Sequence, residues 1–149
     1  MDDDVPVLEG LRVALRHRAP EWTMTFVDSG ARALTEFQTQ PYDVIVSDLL
    51  HPAMHGTRLL RTIGDRWPEA ARIALSGVDD PEQVTHLAAI AHQFLGKPCE
   101  SSKLEQVIAR SLGLQELLPE RALRAMVGRI GRLPPMRRVL ATLRGAGVE

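Results

Sequence analysis

One cysteine, Cys99, is all that the 149-residue chain contains, so no internal disulfide can staple the fold. Such sparing use suits a reducing compartment, and a cytoplasmic location is the expectation. No apolar run approaches the roughly 18 residues that span a bilayer. The acidic start Met1-Asp-Asp-Asp4 has none of the features of a signal peptide. Internal repeats and low-complexity segments are missing as well. What is present is ordinary for a folded chain: 44% hydrophobic and 25% charged residues, in a length that suits one domain plus an appendage.

The net charge of −1 conceals two unlike parts. Residues 1–112 hold 11 basic and 16 acidic side chains, and residues 113–149 hold 7 and 3. An acidic unit followed by a basic tail marks a boundary near residue 112. Seven arginines in the tail invite a nucleic-acid reading, but the tail has no aromatics and is short for a helix-turn-helix module, so nucleic acid is not the expected partner. Two amphipathic helices account for it more simply, one opened by Pro119 (Leu123, Met126, Val127, Ile130) and one starting at Met136 (Val139, Leu140, Leu143).

The first unit is organised around Tyr42-Asp-Val-Ile-Val-Ser-Asp48. Val44, Ile45 and Val46 do not alternate with polar residues, the mark of a strand buried on both faces in a parallel sheet. Around it the periodicity predicts a helix over 5–17 with Asp4 as cap and a strand over Trp22–Val27. Helices follow from Asp28-Ser-Gly to about Gln38 and from Gly56 to Trp67. A strand Arg72–Ser76, a helix Pro81–Ala91 capped by Asp80, a strand Gln93–Gly96 and a helix Ser101–Leu112 complete the series. Strands alternating with helices give a doubly wound α/β sheet with helices on both faces.

Chemistry-bearing residues fall at the strand ends: Asp2 and Asp3 before the first helix, Asp48, Ser76 and Lys97. In a parallel sheet these ends share one rim, where open α/β sheets place ligands. Carboxylates gathered there would repel by roughly 3 kcal/mol per pair at about 5 Å and an effective dielectric near 20. A hard divalent cation removes that cost, and Mg²⁺ suits a site of one or two carboxylates, a carbonyl, water and a phosphate oxygen. Acid, metal, hydroxyl and lysine together describe phosphoryl transfer onto a carboxylate.

The acidic pair, Asp48 with Pro52 and Gly56 after it, Ser76-Gly77 and Lys97-Pro98 together resemble the receiver domain of bacterial two-component response regulators, over about residues 1–112. The resemblance implies a flavodoxin-like parallel sheet of order 2-1-3-4-5. It implies that Asp48 accepts a phosphoryl group from a sensor histidine kinase, and that Asp2, Asp3, Asp48 and the Leu50 backbone carbonyl hold Mg²⁺. Ser76 and Lys97 would contact the phosphoryl oxygens, Lys97-Pro98 would be cis, and Phe94 would be the aromatic switch. The output face would comprise the helix from Pro81, the last strand and the helix from Ser101.

Gly131-Arg-Leu-Pro-Pro-Met136, with Ala91–Cys99, is similar to the subgroup that precedes an HD-related output domain (HDOD). Residues 113–149 are thus expected to be a helical linker and a remnant of that domain, or a dimerisation extension. A homodimer or a downstream output protein is the implied further partner.

The family carries a buried strand of five or six apolar residues just before its acidic pair, and this sequence opens at Met1. That strand is expected to be absent here, with a start lying upstream, a second chain in its place, or a fragment as the readings. Loss of about five buried side chains would cost roughly 8–15 kcal/mol. His51 and His55, in the loop, and His86 and His92 read as solvated or interfacial rather than as ligands. Two competitors stand beside the phosphoacceptor: a receiver-like interaction module that works without phosphate, and a hydrolase with an aspartate nucleophile. The second usually has another acid two residues on, where this chain has Leu50.

Overall fold

The computed structural model describes residues 1–49, 56–77, 89–118 and 120–129. The expected helix Pro81–Ala91, the loop with Leu50, His51, Pro52 and His55, and the tail from Ile130 onward lie largely or wholly outside the described residues.

Three parallel strands form the sheet in the order β1 (Val44–Asp48), β2 (Ala71–Ser76) and β3 (Gln93–Gly96). The register sets Asp48 across from Leu75 and Ser76 across from Gly96. Side chains of β2 alternate between two apolar layers, as the pleat requires. Ala74 joins Ile45, Phe37, Leu59, Leu60 and Ile63 on one face. Ile73 and Leu75 join Leu95 and Leu104 on the other, with Val44, Val46 and Leu11 packed against them. A strand with apolar layers above and below has no polar face to alternate, and this is why β1 and β2 read as near-continuous apolar runs.

The helices follow from local chemistry. In α1 (Val5–Ala14) the Asp4 side chain accepts from the Val7 N–H, with Pro6 in the first turn where its missing N–H costs nothing. The helix stops short of the expected residue 17, and a 3₁₀ turn, Arg16–Arg18, takes its place. Ser29 caps α2 (Gly30–Thr39). The helix α3 (Gly56–Arg66) buries Leu59, Leu60 and Ile63 completely. The helix α4 (Ser101–Glu116) runs a turn past the expected end at Leu112, and α5 (Arg121–Arg129) follows it.

One expected element is not a strand. Trp22–Val27 forms no ladder, although its exposure alternates as a strand's would: Trp22, Met24 and Phe26 are half-buried while Thr23 and Thr25 are exposed. Propensity suits the segment to a sheet, but a ladder needs a neighbour, and β1 lies beyond a gap.

A buried arginine was also not anticipated. Arg72 is 4% exposed, and its guanidinium donates to the carbonyls of Ile90 (2.9 Å) and Ala70 (3.3 Å). Burial lowers its pKa, partly offset by the charge of Asp65. His92, expected at the surface or an interface, accepts from the Arg72 backbone N–H through Nδ1 at 2.9 Å.

Candidate functional site

The carboxyl ends of the three strands bring Asp48, Ser76 and Lys97 to one rim. Lys97 is fixed there by its backbone, whose N–H donates to the Ser76 carbonyl at 2.8 Å. The Lys97–Pro98 bond is cis, as expected. Asp2 arrives from outside the sheet. The Met1 amine donates to the Val46 carbonyl (2.8 Å), the Asp48 N–H donates to the Met1 carbonyl (3.1 Å), and the Asp2 N–H donates to the Val27 carbonyl (3.3 Å). These backbone bonds hold Asp2 beside Asp48. Nothing in the residue types could have announced them, since they are main-chain contacts.

The resulting cluster is compact. Asp2 is 2% exposed and Asp48 5%, whereas Asp3 is open to solvent. One carboxylate oxygen from each of the three lies within 4.8 Å of the others. Lys97 Nζ donates to Asp2 Oδ2 and to Asp48 Oδ2, both at 2.8 Å. Burial on its own would lower the ammonium's pKa, but its hydrogen bonds to the two carboxylates and their charge outweigh this and raise it. Desolvation brings the neighbouring Met1 amine down to about 6. Asp2 Oδ1 accepts from the Asp4 N–H at 3.0 Å, so the start of α1 orients the carboxylate.

Two further residues shape the rim. A Cβ at Gly56 would stand 2.1 Å from the Asp48 carbonyl oxygen and 2.7 Å from the Leu49 Cα, so the first turn of α3 rests directly on the backbone of the site. Ser76, 9% exposed, ends β2 one residue beyond the partner of Asp48. Phe94 is half-buried across from Ala74, packed against the layer that α2 and α3 cover. Leu50, whose carbonyl the resemblance assigns to the metal, lies outside the described residues.

The donor set fits a hard divalent cation. Asp2, Asp3 and Asp48 each offer one oxygen to a common ion, each carboxylate has lone pairs beyond those used by Lys97, and among the described residues the cluster holds oxygen ligands. The chemistry available is anion stabilisation by an ammonium next to a nearly buried carboxylate that faces the rim.

Comparison with known proteins places this geometry. The family model described as the response regulator receiver domain matches residues 1–109. The hydrogenase transcriptional regulatory protein HoxA of Cupriavidus necator is 31% identical over 120 residues, covering 78% of this chain and 24% of that protein. The response regulator MprA of Mycobacterium ulcerans is 32% identical over 117 residues, covering 76% of this chain and 47% of that one. The chain thus spans a quarter to a half of these relatives' length. Among solved structures, a response regulator receiver domain protein from Clostridium thermocellum superposes with a TM-score of 0.70 at 24% identity, covering 78% of this chain and 94% of that one. The signal receiver domain of a signal transduction histidine kinase from Syntrophus aciditrophicus gives 0.67 at 27% identity, covering 76% and 86%. With the parallel α/β sheet, the rim of carboxylates and lysine, and a family match over most of its length, this chain belongs to the response regulator receiver domains of two-component systems.

Proposed function

We propose that the chain is a phosphoacceptor: Asp48 takes a phosphoryl group from the phosphohistidine of a sensor kinase, and the modified rim alters a protein-interaction surface. The observation that carries this reading is Lys97 Nζ placed 2.8 Å from both Asp48 and Asp2, with Asp3 alongside. Receiver domains act as signalling modules, and the chain is read as one of them.

In the transfer a carboxylate oxygen of Asp48 bonds to phosphorus as the P–N bond breaks, and the imidazole leaves with the bonding pair. Asp48 is poised for this because its backbone is clamped by Met1 and by the first turn of α3. Lys97 shifts its ammonium from the free carboxylate oxygen to an oxygen of the incoming group. Ser76, at the end of the next strand, supplies a hydroxyl to another. Asp2, Asp3 and Asp48, with the Leu50 carbonyl as the family suggests, would hold Mg²⁺. When bound, that ion neutralises the carboxylates and the phosphoryl oxygens together. Phe94 then follows Ser76 as the switch, and the face formed by β3 and α4 is read by a downstream output protein or by a second copy. No described helix is long and apolar enough to cross a membrane.

Incubating the chain with acetyl phosphate and Mg²⁺ should add the mass of one phosphoryl group. Asp48→Ala should abolish the adduct, and chelation should suppress it. An unmodified mass under conditions that label a control receiver would favour the phosphate-independent module instead.

A further inference from the structure

At the end of the sheet away from the rim, several polar contacts gather on one residue. Arg72, near the start of β2, is 4% exposed. Its Nε donates to the Ile90 carbonyl at 2.9 Å, and its Nη1 to the Ala70 carbonyl at 3.3 Å. Its backbone carbonyl accepts from the His92 N–H at 2.8 Å, and its backbone N–H donates to His92 Nδ1 at 2.9 Å. Residues 90–92 form the entry to β3, a strand of four residues at the edge of the sheet with β2 as its neighbour. Much of what holds that entry therefore passes through Arg72 and His92.

The His92 ring is held in a form that protonation must break. A ring nitrogen that accepts a hydrogen bond carries no proton, so Nδ1 is bare and the neutral ring keeps its proton on Nε2. Nε2 faces Arg72 Nη2 at 3.3 Å. A second proton has only Nδ1 to go to. There it would point at the Arg72 N–H, which would lose its acceptor. It would also charge the ring beside a guanidinium already shut off from water. The α3 helix closes over that guanidinium, since a Cβ at Gly64 would stand 3.1 Å from Arg72 Cζ. Among the described residues, the other charges around this corner are Asp65 of α3, which partly offsets the burial of Arg72, and Glu69 before β2, which Arg121 bridges. The segment just before His92, Ala89-Ile-Ala91, carries none.

We propose that Arg72 and His92 form a pH-sensitive latch on the start of β3, closed while the imidazole is neutral and opened when Nδ1 takes a proton. The closed arrangement requires the neutral ring, whereas a released ring titrates as a free imidazole does, at about pH 6.5. Closure is therefore favoured in full above that value and loses ground as pH falls below it. Opening removes the bonds between His92 and Arg72 and leaves β3 held by its pairing with Ile73–Ser76. The entry to the edge strand loosens, at the end of β3 opposite Lys97. Because β3 belongs to the face assigned above to a partner, acidification is a second input to that face. The latch itself needs no chemistry at Asp48 and is tested without a phosphodonor.

The full chain is followed by hydrogen exchange and by nitrogen NMR of its imidazole rings. The Leu49 amide, which donates to the Leu75 carbonyl across β1 and β2, is the internal reference. Between about pH 7.5 and about pH 5.5 the protection of the Arg72 and His92 amides should fall about tenfold relative to Leu49, as the neutral fraction of a free imidazole does over that span. His92→Gln keeps an oxygen that can accept from the Arg72 N–H but takes up no proton, so its relative protection should stay constant. An unchanged ratio in the parent, or the same fall in His92→Gln, overturns the proposal. Should that variant unfold, the parent decides alone. Its His92 ring should take up a proton over the pH range in which the Arg72 amide loses protection. A ring still neutral at about pH 5, or one protonated while that amide stays protected, overturns the latch.

Discussion

A hydrogen atom is the whole side chain at position 56, and the space beside the site admits nothing larger. The Cβ of an alanine would lie 2.1 Å from the Asp48 carbonyl oxygen, against backbone that has nowhere to go without moving the acceptor strand. Gly56→Ala should therefore cost about 1–3 kcal/mol of stability. It should also slow labelling by acetyl phosphate, since α3 can recede only by shifting Asp48. Urea unfolding and the labelling rate test the two effects, and a variant matching the parent in both would show that the contact relaxes freely. Lys97 is the complementary case, a residue whose position depends on charge more than on space. Two carboxylates within 2.8 Å keep its ammonium protonated against the pull of burial.

At the scale of elements, the end of α4 shows how the appendage is joined to the sheet. Gln115, 9% exposed, donates from Nε2 to the Asp43 carbonyl (2.8 Å) and the Glu69 carbonyl (3.0 Å), at the starts of β1 and β2. Gln115→Ala should cost about 1–2 kcal/mol, because it strips hydrogen bonds from carbonyls that the helix still covers. A urea midpoint lowered at constant slope would register it, and an unchanged midpoint would mean that water replaces the amide. The extra turn carrying Gln115 was legible as a helix, since Leu114, Leu117 and Leu118 continue the run of Leu104, Val107, Ile108 and Leu112, but the carbonyls that Gln115 meets were not. The strand ends were legible: Asp48, Ser76 and Lys97 each close an apolar run, and parallel topology does the rest. Gly56 could be quoted as part of a pattern, but only coordinates reveal the carbonyl it must clear. Arg72 and Trp22–Val27 failed for a shared reason. Side-chain pattern is local, whereas a carbonyl to receive a guanidinium, or a neighbour to complete a ladder, comes from distant chain.

Across the whole molecule, the first helical segment and the last helix of the unit are tied by an ion-pair cluster whose pH response has a definite sign. Arg18 Nε meets Glu105 Oε1 at 2.7 Å, and His17 Nε2 lies 3.1 Å from Glu105 Oε2. The hydrogen bond from Arg18, then that from His17, holds the Glu105 carboxyl below its ordinary value of 4.5. A carboxylate with a lowered folded pKa contributes stability above the unfolded value and loses it as pH falls through the folded one. Lys97 works in the opposite sense. Its raised pKa contributes fully below 10.5 and is lost only as pH climbs through the folded value, so it leaves the acid limb untouched. Glu105→Gln should then be less stable than the parent across neutral pH, with the gap closing below about pH 4 as the parent's carboxylate protonates. Unfolding by urea at a series of pH values reads this directly. A gap that persists undiminished to about pH 3 would mean that Glu105 joins the two segments by packing and neutral hydrogen bonds, not by its charge.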